Sequence, residues 1–294
     1  FTWRARRNPA AHAVINYMAN HNGFTLMDAV SYDEKHNEAN GEENHDGTDF
    51  NYSWNCGEEG PSRKKKTLEL RARQLRNAFV LLLLSQGTPL IYGGDERGNS
   101  QSGNNNVYCQ DNELSWINWK PAKAYGFLTE YVQKLIAFRR AHPVFHQEKE
   151  FRMTDYLSCG HPDISYHGKR AWLGDFENYS RSVGIFYGGD YIAANTEGRE
   201  KDCFFYVAYN MHWIPHEFAL PSLPDKGEWR ITIDTGAEGV SGIYAEGEEP
   251  LLADQRTVTV PERTILVLSG RPGKAGGAKP GENGKTEQKS RTEK

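Results

Sequence analysis

The sequence predicts a segment of an α/β barrel followed by an all-β sandwich. Three observations carry that prediction. The run Val14 to Leu26 (VINYMANHNGFTL) is apolar and β-branched and ends in a polar tip, His21-Asn22-Gly23. A buried barrel strand looks like this where it delivers side chains to a site at its C-terminal end, although from these residues alone an ordinary turn is the plainer reading. Next, strand, long loop, helix, strand, loop and helix follow one another, as βα units of a parallel barrel do. Finally, from about Phe151 helical signals vanish, and short β-branched and aromatic runs alternate with turn residues.

Taken in order, Phe1 to Ala11 is a basic, proline-containing lead-in with Arg4, Arg6 and Arg7. After the first strand, Asp28 to Lys66 is polar and mostly without periodicity. Loops longer than about 12 to 15 residues are uncommon in compact domains and tend to be functional or disordered. The embedded Tyr32, Tyr52 and Trp54 favour an ordered, functional loop. Thr67 to Gln86 reads as one helix, with Leu68, Leu75, Phe79, Leu82 and Leu83 near one face and Gly87 as its stop. Its longest apolar run, Phe79 to Leu84, is expected to be buried.

A second strand, PLIYGGDE, ends in Asp95 and Glu96. A second polar loop, Gly98 to Trp119, carries an Asn run with Trp116 and Trp119. Such a loop suits a rim that hydrogen-bonds and stacks, or equally a polar loop capped by two packed tryptophans. Phe127 to Ala141 is a helix with a core stripe of Leu128, Tyr131, Leu135 and Phe138, ended by His142-Pro143. The sandwich strands are DISYHG, RSVGIFYGG, CFFYVAYNM, HEFALPSL, WRITIDT and RTVTVPERTILVLSG. Residues 1–148 therefore form the barrel part and 149–270 the sandwich, and 271–294, rich in Gly, Lys, Glu and Pro, are expected to be a disordered tail.

A chain of 294 residues can bury a sizeable core and hold two domains. A net charge of -4 leaves no basic field for nucleic acid or an anionic membrane, and no apolar run reaches the roughly 18 residues of a membrane span. Aromatics at 12% suit stacking on carbohydrate, although they more often fill cores. Cys56, Cys109, Cys159 and Cys203 are far apart and show no paired metal-ligand spacing, so free buried thiols in a reducing, cytoplasmic compartment are expected. No cofactor and no metal are expected. The acidic run from Glu38 to Asp46 lacks the pattern of a calcium loop and reads as a solvated or salt-bridged loop. The chain begins at Phe1 within a loop-like stretch, so it is expected to be a piece of something longer.

The run NYMANHNGFTLMDAVSYDEKHNEANGEENHDGT, followed by SWNCGEEGP, RARQLRNAFVLLLLSQGTPLIYGGDE and GNNNVYCQDNELSWINW, resembles the bacterial glycogen-debranching and isoamylase branch of the α-amylase superfamily of glycoside hydrolases. The likeness is dense from about Ala13 to Trp119 and continues through DISYHG, AWLGDF and YVAYNMHWIPHEFALPSL. It implies the C-terminal portion of a TIM barrel, incomplete, ahead of the sandwich. It also implies a retaining hydrolase of α-1,6 branch linkages whose partner is an α-glucan: glycogen, limit dextrin or a maltooligosaccharide. In the family the nucleophile Asp and the acid/base Glu follow earlier barrel strands. The resemblance thus implies that they lie upstream of Phe1 and that this chain alone is inactive without the N-terminal barrel half.

The family's His-Asp-Gly motif, whose His and Asp hold the distorted sugar, falls on His21-Asn22-Gly23. Asn22 keeps the size of Asp and one acceptor but loses the charge that stabilises a developing cation, a loss on the order of 3 to 4 kcal/mol. His21, Trp54, Asn55, Asn105, Tyr108 and Asp111 are the candidate glucan contacts. Asp95 and Glu96 read as structural, because adjacent strand residues point to opposite sides, with Glu96 orienting the rim. Two further readings stand beside the hydrolase. Asn22 favours a catalytically degenerate glucan-binding protein, and the apolar strand edges of an open part-barrel favour a structural or oligomer-forming domain.

Overall fold

The computed structural model describes residues 14–271 except 121, 122, 197 and 199. The basic lead-in and residues 272–294 of the expected tail lie outside the described residues. Arg271 itself is ordered, as the last residue of a strand.

Two short strands, β1 (Ile15–Tyr17) and β2 (Thr88–Leu90), pair in parallel with Ile15 opposite Thr88. Between them run a one-turn helix α1 (Leu26–Ala29), the long polar loop and helix α2 (Lys65–Leu83). Helix α3 (Leu128–Ala141) follows the second loop. The opening strand differs from expectation. Ile15 is 60% exposed and Tyr17 55%, because β2 is its one strand partner among the described residues. The second strand stops at Leu90, and Asp95 and Glu96 sit in a 3-10 turn rather than on a strand. Alternation along a strand is therefore not what separates those two carboxylates.

Helix α2 is built from strong helix formers, Leu, Arg, Ala and Lys, and begins within two residues of the predicted start. Leu75, Phe79 and Leu83 enter the core, and the Phe79 to Leu84 run is buried as expected apart from Leu81. Gly87 adopts φ +97, a left-handed conformation that favours glycine, and turns the chain into β2. Arg139 of α3 locks that turn: its guanidinium donates to the carbonyls of Leu83 (2.6 Å), Ser85 (2.8 Å), Gly87 (2.7 Å) and Phe145 (2.9 Å).

The second half is an antiparallel five-stranded sheet in the order β3 (Ile164–His167), β4 (Ser182–Tyr187), β5 (Phe204–Asn210), β9 (Thr264–Arg271), β7 (Glu228–Asp234). A two-stranded sheet, β6 (His216–Ala219) with β8 (Thr257–Val260), covers one face. Alternation along β5 sorts two cores. Phe205, Val207 and Tyr209 join the apolar cluster of α2 and α3, and Phe204, Tyr206 and Ala208 join that of Phe218, Trp229, Val258 and Val260. One apolar cluster thus runs across the predicted boundary at 148/149. Helix α2 is also tied to the sheet by polar contacts: Arg76 Nε donates to the Thr235 carbonyl (2.9 Å), and Thr235 Oγ1 donates to Asn77 Oδ1 (2.5 Å).

A short helix, α4 (Asp190–Asn195), interrupts the β region where helical signals were expected to vanish. Six residues are too few for a helical period to show, and Gly188-Gly189 ahead of it read as a turn. No helix among the described residues is long and apolar enough to cross a membrane.

Candidate functional site

The two long loops, after β1 and after β2, interlock through amide side chains. Asn37 Nδ2 donates to Asn105 Oδ1 (2.9 Å), and the Asn105 N–H donates to Asn37 Oδ1 (3.0 Å). Asn105 Nδ2 donates onward to the Thr48 carbonyl (2.8 Å) and Asn51 Oδ1 (3.0 Å). Asn40 and Asn106 both donate to Asp46 Oδ2, at 2.7 and 2.9 Å. Although desolvation acts the other way, these bonds and the Lys35 charge hold the Asp46 carboxyl below its usual range. The acidic stretch is therefore held chiefly by neutral amides, while Lys35 donates to the Asp46 carbonyl (2.8 Å) and pairs with Asp49 just beyond the run (2.6 Å).

Two carboxyls lie beneath the loops. Asp28, at the first turn of α1, accepts from Ser100 Oγ (2.5 Å) and from the Gln101 N–H (2.7 Å). Burial pushes it up to about 6. Asp95 accepts the Leu26 N–H on Oδ1 (2.9 Å), and burial, with the charges of Glu96 and Asp28, pushes it up to about 7. Sequence reading missed Asp28. The signal was present in Thr25-x-x-Asp28, the pattern of a helix cap, and the Thr25 hydroxyl does accept the Asp28 N–H at 3.1 Å.

The seven residues singled out from sequence fall in different settings. His21 and Asn22 are exposed beyond β1, with the Asn22 N–H bonded to Asn20 Oδ1 at 2.8 Å. Trp54 lies under the Arg263 guanidinium, 4.1 Å from its ring centre, so part of its ring already stacks on the sandwich. Asn55 shapes a turn, donating from its backbone to Asp33 Oδ1 (2.8 Å) and from its side chain to Glu59 Oε2 (3.0 Å). Asn105 is 2% exposed and its side chain is taken up by the loop bonds above. Tyr108 is exposed and donates to Glu42 Oε1 (2.5 Å), and Asp111 accepts Trp116 Nε1–H (3.0 Å). The loops thus pair Tyr108 with Glu42 and separately bring Asn105 into one network with Asn37 and Asp46. Beside it, Tyr32, Arg71, Arg97, Ser100, Glu113 and Trp116 are among the residues lining a cleft of about 440 Å³. Arg71 is buried and donates to the carbonyls of Gly60 (2.7 Å), Asn55 (2.9 Å) and Glu58, fixing the first loop onto α2.

Comparison with known proteins places this arrangement. The fold is similar to that of pullulanase type I from Bacillus subtilis complexed with maltose, with a TM-score of 0.57 and 17% identity over 89% of this chain and 28% of that one. No family model matches the chain. The chain is 39% identical over 269 residues to the glycogen operon protein GlgX homolog of Mycobacterium bovis, covering 89% of this chain and 36% of that protein. It is 50% identical over 143 residues to the glycogen debranching enzyme of Pectobacterium carotovorum subsp. carotovorum, covering 49% of this chain and 21% of that enzyme. In sequence the chain is therefore a relative of the glycogen-debranching and isoamylase group of the α-amylase superfamily, matching its C-terminal part. It spans 36% and 21% of the lengths of the two relatives described.

Proposed function

We propose that the chain is the C-terminal part of a retaining α-glucan hydrolase that cleaves α-1,6 branch linkages of glycogen or limit dextrin. The observation that carries this reading is the 39% identity to the GlgX homolog over 269 residues, which include both the βα segment and the sandwich. The interlocked loops follow the C-terminal ends of two parallel strands, which suits the face where α/β barrels keep their chemistry, and exposed Tyr52, Trp116 and Trp119 on them suit stacking on sugar rings. Residues 1–148 are read as the barrel portion and 149–270 as the appended sandwich.

In this reading His21 and Asn22 meet the glucose unit at the scissile bond, and Trp54, Asn55, Tyr108 and Asp111 belong to the glucan-binding rim, with buried Asn105 holding the rim's loops together from beneath. Retaining hydrolysis needs a nucleophilic carboxylate and a second carboxyl as acid and base, close together across the bond. Asp28 and Asp95 are engaged beneath the loops and are not assigned to that pair. The pair comes from the N-terminal barrel half, and the chain alone hydrolyses no glucan. Four free thiols suit a reducing cytoplasm. The test is an assay of the full-length protein on glycogen and pullulan. Release of linear maltooligosaccharides is the expected result, and its absence overturns the hydrolase reading.

Asn22 supports a second reading, a glucan-binding protein with degenerate chemistry. The substitution Asn22→Asp in the full-length protein separates the two. A gain in rate supports the hydrolase, whereas unchanged rate with retained glucan binding supports the binder.

A further inference from the structure

We infer that Cys159, His161 and Asp190 form a site for a single divalent zinc-class cation, which clamps the loop before β3 onto the start of α4. Their candidate ligand atoms, the Cys159 sulfur, a His161 ring nitrogen and an Asp190 carboxylate oxygen, all lie within 4.8 Å of one another. The site lies in the β-rich half, away from the polar loops, and does not rest on the glucan reading.

The His161 side chain is 5% exposed, and its Nε2 makes no hydrogen bond among the described residues. Three aromatic rings, of Phe186, Tyr191 and Phe204, stand edge-on to the imidazole with centroids 5.1 to 5.7 Å away. The other nitrogen, Nδ1, lies 3.1 Å from the Pro162 carbonyl oxygen. A carbonyl only accepts, so Nδ1 carries a proton, and Nε2 is the nitrogen left to face Asp190. That is how a metal-binding histidine is usually oriented, with its second nitrogen held by a carbonyl or carboxylate.

Nε2 faces Asp190 Oδ2 at 3.5 Å. The contact lacks the geometry of a hydrogen bond, and a cation between the two atoms joins them. Two ligands held ~2.0–2.1 Å from one tetrahedral zinc stand ~3.3–3.4 Å apart, close to the separation observed. Asp190 keeps its other oxygen on Lys201, Oδ1 to Nζ 2.7 Å, so it offers Oδ2 singly. Cys159 follows in the same loop, half-buried, its sulfur 3.4 Å from Tyr191 Oη and 3.6 Å from Asp155 Oδ1. Between Cys159 and His161, Gly160 has φ +91, so the chain turns sharply enough to aim both side chains the same way. Thiolate, imidazole and carboxylate together suit zinc, which leaves a fourth position to water. On binding, the Cys159 thiol proton is released to solvent and the sulfur takes the metal in its place.

The experiment uses the untagged, chelator-stripped chain and titrates Co²⁺ as an optical probe, then Zn²⁺ in competition. A thiolate-to-cobalt charge-transfer band that saturates at one equivalent and is displaced by Zn²⁺ is expected. Cys159→Ser abolishes the band, while His161→Gln and Asp190→Asn each weaken binding by at least roughly tenfold. Zn²⁺ raises the unfolding temperature of the unaltered chain and leaves that of Cys159→Ser unchanged. Cys203→Ser is the control and retains the band. Absence of the band in a folded chain, or its survival in Cys159→Ser, overturns the proposal and leaves His161 and Asp190 sharing a proton. Should His161→Gln fail to fold, the Asp190→Asn and Cys159→Ser titrations decide alone.

Discussion

Asn37 and Asn105 are bonded to each other twice across the two polar loops, side chain to side chain at 2.9 Å and side chain to backbone at 3.0 Å. Both are buried, so neither bond can be replaced by bulk water without opening the loops. Asn105→Ala removes one acceptor of Asn37 Nδ2, which keeps the Asp46 carbonyl, and leaves the Thr48 carbonyl and Asn51 Oδ1 without their shared donor, at a cost of about 1–3 kcal/mol. Urea unfolding and proteolysis of the Asp28 to Lys66 loop measure it. Unchanged stability with weakened glucan binding would instead make Asn105 a direct sugar contact.

The pH dependence of stability has a definite sign. The folded value of Asp95, about 7, lies above the value of 3.8 for a free side chain, so folding favours its protonated form. Its contribution is complete below about pH 4 and is lost as pH rises through about 7, a difference on the order of 4 kcal/mol. Asp28, pushed up to about 6, acts in the same direction. Urea midpoints between pH 4 and 8 should fall more steeply for the unaltered chain than for Asp95→Asn, which keeps an acceptor for the Leu26 N–H. Parallel slopes would show that Asp95 ionises freely.

Arg139 gathers four carbonyls around the turn from α2 into β2, with no carboxylate among those partners. Arg139→Met leaves those carbonyls with fewer donors in a buried setting, and a loss of about 3 kcal/mol is expected. Arg139→Lys recovers only part, because an ammonium cannot reproduce the planar fork. Thermal unfolding of the two variants checks the order.

Asn22→Asp in the full-length protein restores a negative charge at an exposed strand tip. A rate gain on the order of a hundredfold on branched glucan is expected where transition-state charge is stabilised there. Equal rates for the two forms would remove Asn22 from the chemistry.

Much of the fold is legible in the residues. Near-continuous apolar runs in CFFYVAYNM and TILVLSG mark β5 and β9, whose two faces both meet apolar layers, and the Thr-Val alternation of TVTV marks β8, which buries only its valines. Leu75, Phe79 and Leu83 likewise mark the buried side of α2. The opening strand is less legible. Its apolar character reads as burial, yet Ile15 and Tyr17 are exposed, since burial depends on neighbours that a local pattern does not contain. Helix α4 is hidden by its six-residue length. At the candidate site, sequence finds the amide-rich loops and reads Asp95 as structural, but it misses Asp28 and the burial of both carboxyls, whose settings arise from contacts about 70 residues apart. Trp54 is legible as an aromatic in a loop, but its Arg263 partner comes from the far end of the chain.

Neighbouring phenylalanines on β5 look into different interiors, Phe204 toward the small sheet and Phe205 toward the helices. The strand is therefore a natural observation post. Fluorine-labelled phenylalanine at each position would give two signals a single peptide bond apart. If the helical layer loosens before the sandwich on heating, the Phe205 resonance broadens while that of Phe204 stays sharp, so the order in which the interiors melt is readable from one strand.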